Sequence, residues 1–429
     1  MVFNAPTRFT LFKQRRKKLI EKIKERHGAG HGVVVVSAGF ETDRHIFRQE
    51  SSFYYLTGIN EPAALLFLYL DGREVVYLPK FGTPRTQWVS VSLSGPHDAK
   101  RVEVDEIRYL GAATAGYSFR PVFEREKYAD AVKALEQDVA DKARVFSLLD
   151  RSNEGYFMHI NLFEKFQQWI PGLEQVTHDV SSLLHGVRRI KDEYELDLIF
   201  KAVQITSMAQ KTAATMMDSG KFEYEVQAAV ECVFTHVAAA KPAFPSIVAT
   251  GKNTTILHYM QRDGKLNNGD LVVIDIGAEY GFYAADITRT YPVGGTFSPR
   301  QREVYNIVLE TQMYIEELAR PGMYLKSAQY PERSLHHLAV KFLEKKGYAQ
   351  YFCHGIGHYL GLDVHDVGDY NSPLQAGDVF TIEPGVYIPE ENIGVRIEDD
   401  YVMADDGAVC LSYELPKQAD EIEAMMQGM

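Results

Sequence analysis

Asp275 stands inside the run Leu271-Val272-Val273-Ile274-Asp275-Ile276-Gly277, whose apolar residues otherwise read as a strand buried on both faces. An unpaired carboxylate there would be strongly destabilising, so the fold has to bring it a cation or a set of donors. Tyr280-Gly281 offers a two-residue turn in which the glycine supplies a positive φ, and that turn sets Asp286 directly across from Asp275. Cross-strand partners leave the same face about 4.5–5.5 Å apart. Two like charges then meet, and a bound metal is the simplest remedy.

The C-terminal third repeats the arrangement. With Pro389-Glu390-Glu391-Asn392 as a four-residue loop, Glu383 faces Glu398 across a second hairpin, although Pro384-Gly385 could shift that register through a bulge. Between the two carboxylate pairs, three of the fourteen histidines, His354, His358 and His365, fall within twelve residues. His354 and His358 have the i, i+4 spacing of a helical zinc motif. Gly355 and Gly357 argue against a helix and the motif's glutamate is absent, so a turn or bulged strand is expected. In Leu362-Asp363-Val364-His365 the period-two alternation puts Asp363 and His365 on one face. One imidazole among four carboxylates is an oxygen-rich ligand set, suited to manganese, with cobalt or zinc as alternatives. Two such ions can activate water and polarise a carbonyl, which makes hydrolysis the default chemistry.

Composition narrows the partners. The chain has 429 residues, 45% hydrophobic and 24% charged, which is ordinary for a soluble globular protein and long enough for two domains. A formal charge of −12 argues against nucleic acid. The basic run Lys13-Gln14-Arg15-Arg16-Lys17-Lys18 is interleaved with Phe12, Leu19, Ile20 and Ile23 at helical spacing and reads as a solvated helix face. The longest apolar runs, Val33 to Val36 and Ala63 to Leu70, are of strand length, so no membrane span is expected. Cys232, Cys353 and Cys410 lie far apart without a CxxC, which points to a reducing cytoplasm; Cys353 reads as a small buried neighbour of the metal site.

Along the chain, a helix is expected over 8–26, then a buried strand at Val33–Val36 and a hairpin whose turn is Asp71-Gly72. Helices are expected near 124–137 and 154–169. A boundary falls near 180–190, giving an N-terminal α/β domain over 1–185 and a second α/β domain over 186–429. The second shows two helices then a hairpin, twice over: helices near 193–217 and 223–239, then one opened by the capping box Ser298-Pro299-Arg300-Gln301 and one over 327–346. The duplication is one of layout, without obvious repetition of residues.

The segments Ala285-Asp286-Ile287-Thr288-Arg289-Thr290, His354-Gly355-Ile356-Gly357-His358, Leu362-Asp363-Val364-His365-Asp366, Ile382-Glu383-Pro384-Gly385 and Arg396-Ile397-Glu398-Asp399-Asp400 closely resemble the proline-specific metallopeptidases of the pita-bread fold. Within that family they resemble aminopeptidase P most, then prolidase. Phe47 to Gly58, followed by Glu61-Pro62, extends the resemblance to the aminopeptidase P N-terminal domain, a creatinase-type, RNase H-like α/β unit. The resemblance implies an internally duplicated pita-bread domain in which Asp275, Asp286, His358, Glu383 and Glu398 ligate two divalent ions, with Asp286 and Glu398 bridging. It implies hydroxide attack on the carbonyl before a proline, with Glu383 moving the proton. His258 and His365 resemble histidines that bind substrate or stabilise the tetrahedral intermediate, His354 one that lines the proline subsite, and Arg396 an orienting arginine.

Phe244 stands where aminopeptidases P often carry a tyrosine, Ser52 where an aspartate is frequent, and Trp88 is a candidate contact at the site mouth, contributed by a neighbouring subunit. The family implies a homodimer or homotetramer acting on peptides with proline second. Four other readings are weighed. Prolidase would restrict cleavage to dipeptides, and a non-catalytic peptide-binding module would have lost ligands. Creatinase-like C–N hydrolysis would not need the carboxylates. The large N-terminal domain argues against methionine aminopeptidase.

Overall fold

The computed structural model describes residues 8–42, 46–120, 123–238 and 240–428. It separates into two compact units, one through Arg188 and the other from Arg189.

The N-terminal unit is built on a six-stranded mixed sheet: β1 (Gly32–Ser37), β2 (Leu65–Tyr69), β3 (Glu74–Leu78), β4 (Glu106–Tyr109), β5 (Arg144–Ser147) and β6 (Thr177–Asp179), in the order β4-β3-β2-β1-β5-β6. The β2–β3 hairpin turns at Asp71-Gly72 as expected, and all four valines of Val33–Val36 are buried. Helices α1 (Arg8–His27), α2 (Ser51–Thr57), α3 (Ala129–Ala140) and α4 (Phe157–Trp169) belong to this unit, as does α5 (Ser181–Arg189) up to its last residue. The basic run on α1 is only partly a solvated face. Lys13, Lys17 and Lys18 are exposed, but Arg16 is fully buried and its Nη2 lies 2.7 Å from the Glu74 carboxylate, while the Arg15 guanidinium sits over the Tyr55 ring. A run of cations gives no sign in sequence of which members have an internal partner.

The C-terminal unit has the doubled layout. Helices α6 (Glu193–Ala214) and α7 (Glu223–Ala238) precede strands β7 (Lys241–Pro242), β8 (Ile247–Thr250), β9 (Leu271–Ile276), β10 (Ala278–Tyr280), β11 (Tyr283–Ala284) and β12 (Ile287–Pro292). The expected helix end at position 239 lies outside the described residues. Helices α8 (Pro299–Leu318) and α9 (Leu335–Lys346) then precede β13 (Val379–Ile382), β14 (Gly385–Ile388), β15 (Ile393–Arg396), β16 (Asp399–Met403) and β17 (Ala408–Cys410), and α10 (Ala419–Met426) closes the chain. The capping box at Ser298 opens α8 as read. By contrast α9 starts eight residues later than expected, because Pro331 belongs to a short 3-10 turn and Ser334 supplies the N-cap.

Register decides which side chains meet. In the second hairpin Ile382 pairs with Asp399 and Gly385 with Arg396, so the register holds across the gap and Glu383 faces Glu398 as expected. In the first hairpin the turn residues are Gly281 and Phe282, both at positive φ, and Tyr280 pairs with Tyr283. Asp275 therefore faces Thr288, and the direct Asp275–Asp286 pairing read from the sequence is wrong by two residues. A two-residue slip preserves the face, so Asp286 still projects on the side of Asp275, one step along the diagonal.

Candidate metal centre

A cavity of about 350 Å³ opens over the gaps in the two hairpins and is lined by Asp275, Asp286, His358, Glu383 and Glu398, together with His258, His354, His365 and Arg396. Every residue given a metal-binding, catalytic or substrate-binding role from the sequence is thus gathered there except Phe244 and Trp88. The Phe244 ring packs against Gly277, between the two aspartates in sequence. Trp88 lies in the N-terminal unit, exposed and stacked on Tyr117 with ring centroids 4.6 Å apart.

The histidine stretch is not a helix. It runs in irregular extended form beside β13, with Glu383 N–H donating to Ile356 O, Thr381 N–H to His358 O and Leu360 N–H to Val379 O. Gly357 makes this approach feasible, since a Cβ there would stand 1.9 Å from Thr381 O. Leu362 to His365 form bends rather than the expected strand, because the backbone turns to bring Asp366 N–H back to Tyr359 O. His365 still reaches the cavity, its ring centroid 4.2 Å from that of His358. Cys353, expected to be buried, is exposed. The three cysteines are free.

The charges are packed as a metal centre requires. His358 Nδ1–H donates to Tyr359 O, which leaves the Nε2 lone pair facing the carboxylates: 3.4 Å from Asp286 Oδ2, 3.8 Å from Glu383 Oε1 and 3.9 Å from Glu398 Oε1. None of these is a well-formed hydrogen bond, and the ligand atoms of Asp286, His358 and Glu398 all lie within 4.8 Å of one another. Oδ1 of Asp275 and Oδ1 of Asp286 are buried and have no partner among the described residues. Burial, then the neighbouring carboxylates, raises the pKa of Asp286 and of Glu398 well above the usual range, and burial pushes Glu383 up to about 7. Protein atoms alone do not satisfy these oxygens; the donor set fits hard divalent cations.

Arg396 knits the site together. Its Nη2 donates to Asp275 Oδ2 at 2.7 Å, its Nη1 to the Tyr387 hydroxyl at 2.9 Å and its Nε to Thr288 Oγ1 at 3.3 Å; Thr288 Oγ1 in turn donates to Glu398 Oε2 at 2.7 Å. His354 Nδ1–H donates to Gly355 O, so its Nε2 accepts from Tyr387. Burial, reinforced by the Arg396 charge, pushes the His354 pKa down to about 4. His258 is exposed at the mouth; enclosure and the His358 and His258 rings lower the pKa of His365.

Sequence reasoning missed Tyr387, Thr288 and Tyr370, which also lines the cavity. For the first two a signal existed. Tyr387 shares the period-two face of Glu383 and Gly385, and Thr288 that of Asp286. Tyr370 sits in a loop with no periodicity to read.

A sequence profile described as metallopeptidase family M24 matches residues 197–405, and one described as the aminopeptidase P N-terminal domain matches 12–116. The Xaa-Pro aminopeptidase of Haemophilus influenzae is 34% identical, covering 89% of this chain and 88% of its own. This chain belongs to the Xaa-Pro aminopeptidase family of M24 metallopeptidases. The Escherichia coli Xaa-Pro aminopeptidase is 31% identical over 97% of both chains. The solved structure of E. coli aminopeptidase P with the inhibitor Pro-Leu superposes with a TM-score of 0.80 at 29% identity, covering 99% of each chain. An Xaa-Pro dipeptidase of Pyrococcus furiosus is 40% identical, but over 53% of this chain. Similarity to the aminopeptidases thus runs through both units, and the chain has the two-domain fold of that family, with a pita-bread catalytic domain.

Proposed function

We propose that this chain removes the N-terminal residue from peptides whose second residue is proline, by hydrolysis of the Xaa-Pro bond at a pair of divalent cations. The carrying observation is the convergence of Asp275, Asp286, His358, Glu383 and Glu398 on one cavity, in a chain similar along its whole length to Xaa-Pro aminopeptidases. These five residues would hold the ions. The oxygen-rich donor set favours manganese, with cobalt or zinc as alternatives. Bound there, the ions would supply Lewis acidity toward the scissile carbonyl and lower the pKa of a water enough for attack at neutral pH.

The remaining work falls to side chains. Glu383, with His358 on one side at 3.8 Å and His354 on the other at 3.7 Å, would take a proton from the attacking water and pass it to the leaving prolyl nitrogen. His258 and His365 offer N–H donors at the rim to the oxygen on which charge develops. His354, kept neutral, presents a ring rather than a cation to the proline, and Arg396 fixes Asp275. Phe244 and, from a neighbouring subunit, Trp88 would complete the substrate pocket of a homodimer or homotetramer. A cytoplasmic location accords with three free cysteines and with the absence, among the described residues, of a helix long and apolar enough to cross a membrane.

The similarity to an archaeal Xaa-Pro dipeptidase supports a second reading, prolidase. Assay of the manganese-loaded protein with Ala-Pro-Ala and Ala-Pro separates the two. Release of alanine from the tripeptide is expected; turnover confined to the dipeptide would overturn the proposal.

A further inference from the structure

The two halves of the C-terminal unit share more than layout. Gln210 on α6 is fully buried, and its Nε2 donates to Ile274 O at 3.0 Å and to Ile287 O at 2.8 Å. Gln312 on α8 is equally buried, and its Nε2 donates to Ile382 O at 3.1 Å and to Ile397 O at 3.3 Å. All four carbonyls belong to the residues beside the carboxylate ligands: Ile274 precedes Asp275, Ile287 follows Asp286, Ile382 precedes Glu383 and Ile397 precedes Glu398. Each glutamine therefore bridges both strands of one hairpin at the point where the ligands leave it.

The backbone ladder lapses beside three of the four carboxylates, while Asp275 lies within the paired β9–β12 ladder, opposite Thr288. Asp286 lies between β11 and β12, and Glu383 and Glu398 lie between the β13–β16 and β14–β15 pairings. A buried carbonyl needs a donor, and beside a lapse in the ladder a side-chain tie helps to keep the strands at a fixed separation. One carboxamide N–H₂ has two hydrogens and can serve two carbonyls at once. Tyr291 OH donates to Gln210 Oε1 at 3.0 Å. The two differ here: Asp399 Oδ2, 3.1 Å from Gln312 Nε2, shares its two hydrogens with the carbonyls, and Gln312 Oε1 has no partner among the described residues.

We infer that Gln210 and Gln312 are a matched pair of positioning residues, each setting the spacing of one carboxylate pair from the helix layer behind it. Neither side chain is among the residues lining the cavity. The role depends on the metal reading above, and its effect falls on the ions through the backbone. Removing the carboxamide should splay the ligand pair and weaken the site while the apolar core around it persists. Outer partners of metal ligands are commonly worth about 10–100-fold in affinity.

The test is a Co²⁺ titration of the metal-free full-length protein, followed by visible absorption, in wild type, Gln210→Met and Gln312→Met. Methionine keeps the length and bulk without the donors. The expected result is an increase in the Co²⁺ dissociation constant of about 10-fold or more in each variant, a changed Co²⁺ spectrum, and a fall in kcat with little change in KM. A folded variant with wild-type affinity and spectrum overturns the inference. If either methionine variant fails to fold, Gln→Asn, which draws the carboxamide back by one methylene, replaces it under the same criteria. Wild-type protein that takes up no Co²⁺ overturns the metal reading itself, an outcome distinct from any difference between variants.

Discussion

Arg396 Nη2 and Asp275 Oδ2 are 2.7 Å apart, both side chains are largely buried, and the aspartate's other oxygen has no partner among the described residues. The guanidinium also reaches Tyr387 and Thr288, three acceptors in three directions. A lysine, a point charge on a flexible stem, could not serve all three. Breaking a buried pair by removing one partner typically costs about 3–5 kcal/mol. In the metal-free protein, Arg396→Met should lower stability to urea denaturation by about 3 kcal/mol, and Arg396→Lys should recover only part of the activity lost. A lysine variant with wild-type kcat would show that charge alone suffices.

Metal removal should be visible in both activity and stability. Without cations, Asp286, Glu383 and Glu398 are crowded and buried, which is why their pKa values rise. Chelator should abolish turnover, and Mn²⁺ or Co²⁺ should restore it with about two ions per chain. Each site filled at about a hundred times its dissociation constant adds about 2.7 kcal/mol of stability. Thermal melts with and without metal, paired with elemental analysis, would check this. Full activity in metal-free protein would remove the basis for the hydrolytic proposal.

Gly357 is the position at which the histidine strand touches β13. A Cβ there would stand 1.9 Å from Thr381 O, and that oxygen belongs to backbone that cannot rotate away. Gly357→Ala should push His358 off its place opposite Thr381. Displacements of about 1 Å at a reacting centre can reduce rate about 100-fold, so a kcat loss of that order is expected in a protein that still folds. Unchanged kcat would mean the segment has slack that the geometry does not suggest.

The gathering of Asp275, Asp286, Glu383 and Glu398 at one cavity was legible because a carboxylate in an apolar strand has few explanations, and because parity survives a two-residue error. The register error itself arose at Phe282, whose φ of 78° is a conformation normally left to glycine or asparagine, so the sequence pointed to the wrong turn. Arg16 was misjudged because residue type says little about burial when the partner, here Glu74, lies on a distant strand, and Cys353 because closeness in sequence to His354 does not bury a side chain. Gln210 and Gln312 carry no local signal at all. A polar residue on a helix face is ordinary, and only the positions of four carbonyls distinguish these two.

His159 in the N-terminal unit supplies a pH dependence unconnected with the metals. Its Nδ1 accepts from Ser37 N–H at 3.1 Å, while Ser147 Oγ spends its proton on Val35 O and so accepts from His159 Nε2–H at 2.9 Å. Protonation would drive an N–H against the Ser37 N–H and force the Ser37 hydroxyl, 3.0 Å from Nδ1, to act as acceptor. Burial also disfavours the cation, and the pKa is pushed down to about 4 from 6.5. Because the unfolded chain takes up this proton first, the contribution of His159 to stability is complete above pH 6.5 and is lost as the pH falls toward 4. At about 1.4 kcal/mol per pH unit the span is worth roughly 3 kcal/mol. His159→Gln, which offers a donor and an acceptor without titrating, should flatten the stability profile between pH 4 and 6.5 relative to wild type. Parallel urea denaturation profiles for the two proteins across that window would assign the acid sensitivity to other groups.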